Sequence, residues 1–483
     1  MPKVDWSQLW KKEDWWALWV GLLIFLIGLG PFAKVDLIGW AFTSNLWLDP
    51  MKGVVTANPA YAFLGYGSVL ATYIFLLALL TLGAAAMRYN IKRFVAGFTV
   101  IFWLTAIVWI LASNAYSAVT PNAYKQWGIS WSLNLTNEGG YIYLLLVGLV
   151  IRNVFRGFAQ KLADAARPEW FIKTAIVILG ATIGVQAAGA VGIATAVMFR
   201  GLSAIVEAYL IYWPLVYFIS RKYFKVPKEW AAPLASGISV CGVSAAIATG
   251  AAVKSRPRIP ITLSSIIVAF AVVELIVLPW LSYFLYPATS GMVFGAWMGL
   301  AVKTDGAAAA SGALVDALIV GKAATLGQNL APGWMLTAAV TTKLFIDVFI
   351  GVWAVVLAVI WSTSIERRAG EKFRWMEVWY RFPKFVIGYF ITFLIMLAIA
   401  SAGPAALASA RLASGETNAF RVFFFALTFL SIGLVTDFRA FRKEGLGKMV
   451  LIYVLCLFGF ILWIGLFVSW IFFNGVPVPL VKV

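Results

Sequence analysis

Apolar stretches long enough to cross a bilayer recur from Trp15 to Phe473, and this recurrence constrains the fold more than any motif does. Crossing about 30 Å of hydrocarbon takes roughly 20 helical residues. Inside lipid every backbone N–H and C=O needs a partner within the chain, so such stretches form helices. With 62% hydrophobic and 12% charged residues and a mean hydropathy of +0.90, nearly the whole chain is membrane domain. No room is left for a soluble catalytic domain, and the expected fold class is an all-α polytopic membrane protein.

Reading apolar runs against polar breaks predicts thirteen spans. Six come first: Trp15 to Ala33, Tyr61 to Ala86, Phe94 to Ala112, Gly139 to Phe155, Trp170 to Ala187 and Leu202 to Ser220. Seven follow: Ala231 to Val253, Ile261 to Leu285, Gly291 to Leu318, Met335 to Trp361, Phe382 to Ala402, Phe420 to Thr436 and Lys448 to Phe473. The stretch Ala188 to Arg200 reads as a short interfacial helix. Trp15 to Ala33 is full length with no small-x-small site after it, so it reads as a retained helix and not a signal peptide. Trp15, Trp16, Trp40, Trp47, Trp127 and Trp131 fall near segment ends, where indole rings favour the interface.

The net charge of +18, from 38 Lys+Arg against 20 Asp+Glu, reads as loops held in the cytoplasm and not as a nucleic-acid surface. Six basic clusters alternate onto one side: Lys11/Lys12, Arg88/Lys92/Arg93, Arg152/Arg156/Lys161/Arg167, Arg221/Lys222/Lys225/Lys228, Arg367/Arg368/Lys372/Arg374 and Arg439/Arg442/Lys443/Lys448. That predicts a multi-pass protein of a bacterial inner membrane with a cytoplasmic N-terminus. Lys254/Arg256/Arg258 falls on the wrong side, so either that segment does not simply cross or its charges serve an anion route.

Histidine is absent, and the two cysteines, Cys241 and Cys456, lie in apolar segments. A disulfide framework, a thiolate cluster and His-based metal or haem sites are therefore not expected, nor is any cofactor. Asp, Glu and Lys remain to titrate, with Na⁺ or H⁺ as the coupling ion. No phosphate-binding loop, nucleophile elbow or zinc signature occurs, so the chain does not read as an enzyme.

Spans four to eight and nine to thirteen form two sets of five, an odd number that inverts the second set. The division is then 1–138, an N-terminal extension with three transmembrane helices, 139–285, the first inverted repeat, and 286–483, the second. Gly148-Leu149 before Arg152-Asn153 matches Gly299-Leu300 before Lys303-Thr304-Asp305. The interruption at Ser239-Val240-Cys241-Gly242-Val243-Ser244 matches one expected at Ser431 to Asp437. A helix restarting after Gly242 would aim free N–H groups at an anion. Equally, the small residues can be a packing face that lets helices approach closely.

Glu207, Glu274, Lys303, Asp305, Asp316, Lys343 and Asp347 lie in or beside apolar spans, where an unpaired charge costs roughly 2.5 to 3.5 kcal/mol on insertion scales. Lys343 and Asp347, four apart, read as a structural ion pair. Lys303 and Asp305 read as functional, because a break and the small-residue run Gly306 to Gly312 follow. Glu207 and Glu274 read either as helix-packing protonated carboxyls or as proton sites.

At these residues the chain resembles the sulfate exporter family. Ser239 to Ala248 is similar to its Cys-Gly-Ala-Ser-Ala motif, Gly295-Ala296-Trp297-Met298-Gly299 to its Trp-Ala-Gly approach, and Thr342-Lys343-Leu344 to its Val-Lys-Leu. Gly433 to Ala440 is similar to its Gly-Leu-x-Thr-Asp-Leu-Arg-Ala signature. The likeness runs from about Gly139 to Phe473. It implies a fold like the sodium/bile-acid symporters and sodium/proton antiporters, with crossed discontinuous helices and core plus panel domains. Two departures stand out: Lys303 occupies the stretch where the family carries His, and Ile346 stands where it carries Arg.

The resulting expectation is a secondary active transporter that moves a small anion, sulfate or a related sulfur oxyanion, by alternating access. Ser239, Cys241, Gly242, Val243, Ser244, Lys303, Thr304 and Thr436 are its expected substrate residues, and Asp305, Asp437 and Asn153 its coupling-ion residues. Expected partners are the anion, the lipid bilayer and a second copy of the chain, without nucleic acid. The alternatives are an ion-coupled carrier of an organic acid, a proton-coupled cation exchanger of the same fold, and a membrane-embedded enzyme using Ser and Cys groups, which lacks the usual activating base.

Overall fold

The computed structural model describes residues 7–119, 124–133, 140–189, 191–256, 258–361, 383–439 and 447–481. The basic cluster Arg367 to Arg374, the Arg442/Lys443 pair and the boundary at residue 138 lie outside these residues. Among the described residues, nine helices are long and apolar enough to cross a membrane, ten if Gly140–Val154 and Arg156–Leu162, bent by 116° at Phe155, count as one span. The chain divides into two compact units that interleave along the sequence.

One unit comprises Met1–Ala194, Gly321–Gln328 and Lys384–Thr436. Its helices include Glu13–Ile27, Gly67–Ala86, Ile91–Ala112, Pro168–Gly189, Lys384–Ala400 and Pro404–Val435. Close helix approach depends on glycine. A Cβ on Gly148 would lie 2.4 Å from the Leu430 carbonyl oxygen, and one on Gly433 would lie 2.6 Å from that of Leu145. Two glycines that sequence reading assigned to separate breaks thus form one helix crossing. The first helix is built into this unit: Gly21 abuts Val177, and the Asp14 carboxylate accepts from Lys173 Nζ at 2.7 Å. A two-stranded hairpin pairs Phe42–Ser44 with Val54–Thr56, and its Phe42 ring packs on Phe423.

The other unit comprises Thr195–Val320, Asn329–Pro383 and Asp437–Val483. Here the structure departs from the expected crossings. The Ala231 to Val253 stretch does not traverse: Lys228–Ser239 and Gly242–Ala252 fold back on each other as a helical hairpin. Ser236 and Thr249, thirteen residues apart, meet hydroxyl to hydroxyl at 2.6 Å, and Arg256 comes within 4.0 Å of Glu229 at the mouth. Both ends therefore lie on one face, which removes the charge-rule exception at Lys254 and Arg256.

A second hairpin follows the long helix Arg258–Leu285. Its first arm, Gly291–Ala301, runs alongside Trp334–Val348 in the same direction, with Gly295 on Met335 and Gly299 on Ala339 and Thr342. Its second arm, Asp305–Thr325, runs back along the same helix: Asp305 faces Lys343, Gly312 abuts Ala339, and Asp316 accepts the N–H groups of Gly333 and Met335. The break expected near Ser431 to Asp437 does not exist. Pro404–Val435 is continuous, and the second interruption lies at Val302 to Thr304. The polar letters of that signature mark the end of a helix. Ala188 to Arg200 is likewise no separate interfacial helix, since Gly192–Lys222 forms one long apolar element.

Cysteines placed at Lys222 and Arg256, both exposed, should be labelled by a membrane-impermeant maleimide from the same side, with buried Cys241 and Cys456 silent. Labelling from opposite sides would mean a through-going span.

Candidate functional site

A hairpin tip in hydrocarbon leaves the last carbonyls of one arm and the first N–H groups of the next without helical partners. Here the two tips satisfy one another. Gly242 N–H donates to the Lys303 carbonyl, and Lys303 N–H donates to Glu274 Oε2 at 2.9 Å. Glycine is required at 242, because a Cβ would lie 2.3 Å from Ile267 Cγ2 and 2.8 Å from the Lys303 carbonyl oxygen.

Buried lysines close the arms from their C-terminal ends, where the helix dipole favours a cation. Lys343 Nζ donates to the Val240 carbonyl at 2.6 Å, and Lys303 Nζ donates to the Leu300 carbonyl. Asp305 opens the second arm of the second hairpin, the favourable end for an anion. It accepts from the Cys241 thiol at 2.8 Å and lies 4.0 Å from Lys343 Nζ. Cys241 Sγ and carboxylate oxygens of Asp305 and Asp347 lie within 4.8 Å of one another. Glu274 completes the group, its Oε1 accepting from Tyr453 at 3.0 Å.

Four carboxyl groups, Glu207, Glu274, Asp305 and Asp347, and two amines, Lys303 and Lys343, are buried in this unit at 4% exposure or less. Fully ionised, they carry an excess of two negative charges. Buried charge is sustainable only when paired, so two protons or bound cations are needed to balance it. The thiol and the two aspartates are oxygen and sulfur donors that can share a proton or hold a small cation.

Of the residues expected to bind substrate, Cys241, Gly242, Lys303 and Thr304 come together with Asp305 at the tips. Thr304 caps the second arm by accepting Ala307 N–H at 3.2 Å. Ser239 is fully buried in the last turn of the first arm, its hydroxyl without a hydrogen-bond partner. Val243 and Ser244 lie in the first turn of the second arm, and their side chains fall outside the described residues. The Gly242 N–H expected to face an anion and the Lys303 amine expected to meet it are both engaged internally. Asn153 and Thr436 meet in the other unit, amide to carbonyl at 3.1 Å. Asp437 sits half-buried in the turn after the long helix, accepting Arg439 N–H at 3.0 Å.

Sequence reading flagged Lys343, Asp347, Glu274 and Glu207 as costly charges without placing them in the site. Lys343 looked like the partner of Asp347 by spacing, yet it also ties the first hairpin tip to Asp305. Their common signal was charge in apolar surroundings, which identifies members of such a group and not which of them meet.

A family model described as "Conserved hypothetical protein 698" matches residues 130–452. A UPF0324 membrane protein of Nitrosomonas europaea is 41% identical over 479 residues, covering 98% of each chain. A UPF0324 membrane protein of Rhodopirellula baltica is 27% identical over 93% of this chain and 88% of its own. One of Streptococcus agalactiae is 25% identical over 69% of this chain and 91% of its own, so that shorter relative lacks part of what is present here. No solved structure matches the chain.

Lys343→Met should lower the stability of the detergent-purified protein by about 3–5 kcal/mol, because it strips a buried cation from Asp305 and the Val240 carbonyl. Adding Asp305→Asn should recover part of the loss, read as the melting temperature of the double variant; additive losses would show that the two groups do not interact. Gly242→Val should cost about 1–3 kcal/mol by forcing the tips apart, against a near-silent Gly447→Ala control that has open space around it.

Proposed function

The chain belongs to the UPF0324 membrane protein family, and from that premise we propose that it is a secondary active transporter. It moves a small anion, sulfate or a related sulfur oxyanion, by alternating access. The observation that carries this reading is the meeting of two helix breaks, tip to tip, around buried lysines and carboxylates. Non-helical backbone at membrane depth is tolerated only where protein buries it or where it lines a path, and transporters use such breaks for their ligands.

Replacing two of the thirteen expected crossings by hairpins leaves eleven crossings and keeps the N-terminus inside and the C-terminus outside. All seven basic clusters then face the cytoplasm of a bacterial inner membrane. Each half of the chain beyond residue 138 contributes one hairpin, the fourth element of the first set of five and the first element of the second, so the two do not occupy matching positions of the expected repeats. The second arms begin at the tips, so their positive ends can face an anion once the tips separate. Asp305 and Asp347 take up H⁺ or Na⁺, which balances the acidic excess and couples the anion to an ion gradient.

That same excess favours one other reading, a proton-coupled cation exchanger, because side chains alone would then bind the transported ion. Proteoliposomes distinguish the two. Radiolabelled sulfate, sulfite or acetate should accumulate under a proton or sodium gradient, and Asp305→Asn should cut the rate about tenfold or more, ~1.4 kcal/mol of barrier. Absence of gradient-driven flux for every anion, with Na⁺ pulses acidifying or alkalinising the lumen, would establish the exchanger instead.

A further inference from the structure

Two helices of the second unit widen into π-helical turns, Glu207–Tyr212 and Leu457–Ile461, and the two turns face one another. Such turns are rare and concentrate at functional sites. Glu207 and Tyr212 are five residues apart, roughly 140° around a regular α-helix. The wider turn brings them onto one face, where the Tyr212 hydroxyl meets Glu207 Oε1. The same hydroxyl lies 2.8 Å from the Ile461 carbonyl oxygen in the opposite turn, and the next carbonyl, Leu462, accepts the Trp297 indole N–H at 2.8 Å.

Hydrogen counting favours a protonated Glu207. Tyr212 has one hydroxyl hydrogen and two oxygen neighbours, a carboxyl and a carbonyl that cannot donate. With Glu207 ionised the single Tyr212 hydrogen is shared between the carboxylate and the Ile461 carbonyl; with Glu207 protonated each contact has its own hydrogen, Glu207 donating to the Tyr212 oxygen and Tyr212 to Ile461. Glu207 Oε2 is buried with no hydrogen-bond partner, affordable for a neutral carboxyl and very costly for a carboxylate.

We propose that Glu207 is a proton-carrying site, separate from the Cys241/Asp305/Asp347 group, whose charge is sensed at the second hairpin tip through Tyr212 and Lys303. Among the described residues, the charged group facing it is Lys303, whose Nζ sits 4.8 Å from the Tyr212 ring centroid. Glu274 and Tyr453 lie beyond Lys303, bound to its backbone N–H and to each other. The opposite helix contributes the Ile461 carbonyl and Gly465, where a Cβ would lie 2.9 Å from the Tyr212 hydroxyl oxygen. When the proton leaves to the aqueous side, the Tyr212 hydroxyl turns from Ile461 to the new carboxylate. The site then gains a negative charge beside the ring that Lys303 covers, drawing that amine from the Leu300 carbonyl and loosening the tip.

This inference rests on the transporter reading for its purpose, but its test does not. Infrared difference spectra of the purified full-length protein should contain a protonated-carboxyl C=O band that disappears in Glu207→Gln and persists in Glu274→Gln. Tyr212→Phe should move the band to higher frequency, because the acid loses its acceptor. Glu207→Gln, which mimics the neutral acid, should melt within a degree or so of the wild type. In sulfate-loaded proteoliposomes it should lose the acceleration of efflux by a pH gradient. A band unchanged in Glu207→Gln, or unshifted in Tyr212→Phe should the first variant fail to fold, overturns the proposal whether or not sulfate is transported. Intact spectroscopy with no flux of any anion would instead overturn the transporter reading alone.

Discussion

Unpaired peptide groups are the constraint on which the second unit is built. A helix that stops in hydrocarbon must hand its free carbonyls and N–H groups to something, and water is not available. Two hairpins that end against each other solve this partly between themselves, with Gly242 N–H on the Lys303 carbonyl, and partly through the helix Trp334–Val348, whose Lys343 caps the Val240 carbonyl. The lysines follow from that requirement. Each caps an arm that ends in the membrane, and each then needs carboxylates near it. A dense charge centre is thus a consequence of the hairpin architecture.

Much of this was legible in the letters. Apolar run length revealed a polytopic helical membrane protein, although two of the thirteen expected crossings are hairpins, and the small-residue density around Gly242 marked a break in what was read as a crossing helix. The break at Lys303 was readable from charge next to glycine. What misled was the Gly433 to Asp437 signature, where Thr436 and Asp437 looked like a second interruption. The structure uses Gly433 for close packing on Gly148 and Thr436 to end a helix. Composition cannot separate a glycine that breaks a helix from one that lets two helices touch. Nor can it separate a crossing from a hairpin of equal length; the only hint was the misplaced Lys254/Arg256/Arg258 charge, a long-range effect of where the chain turns back.

The charge inventory also reshapes the functional expectation. From sequence, Lys303 stood out as the group to meet an anion. Its amine is instead committed to a carbonyl, and the surplus in the site is acidic. On the transporter reading proposed above, Asp305, Asp347 and Glu207 are the places offered to a coupling cation. Alternating access then requires the contact between the tips to be strong enough to seal and weak enough to part. One backbone hydrogen bond, the Cys241 thiol on Asp305 and one lysine bridge, each open to competition from an entering ion, fit that demand.

The most direct test is a density map of the protein in a lipid nanodisc. The account requires the chain near Val240–Gly242 and Val302–Thr304 to turn back within the bilayer, with the two tips in hydrogen-bonding contact beside Lys343. Two unbroken rods running from one lipid face to the other through those residues would contradict it.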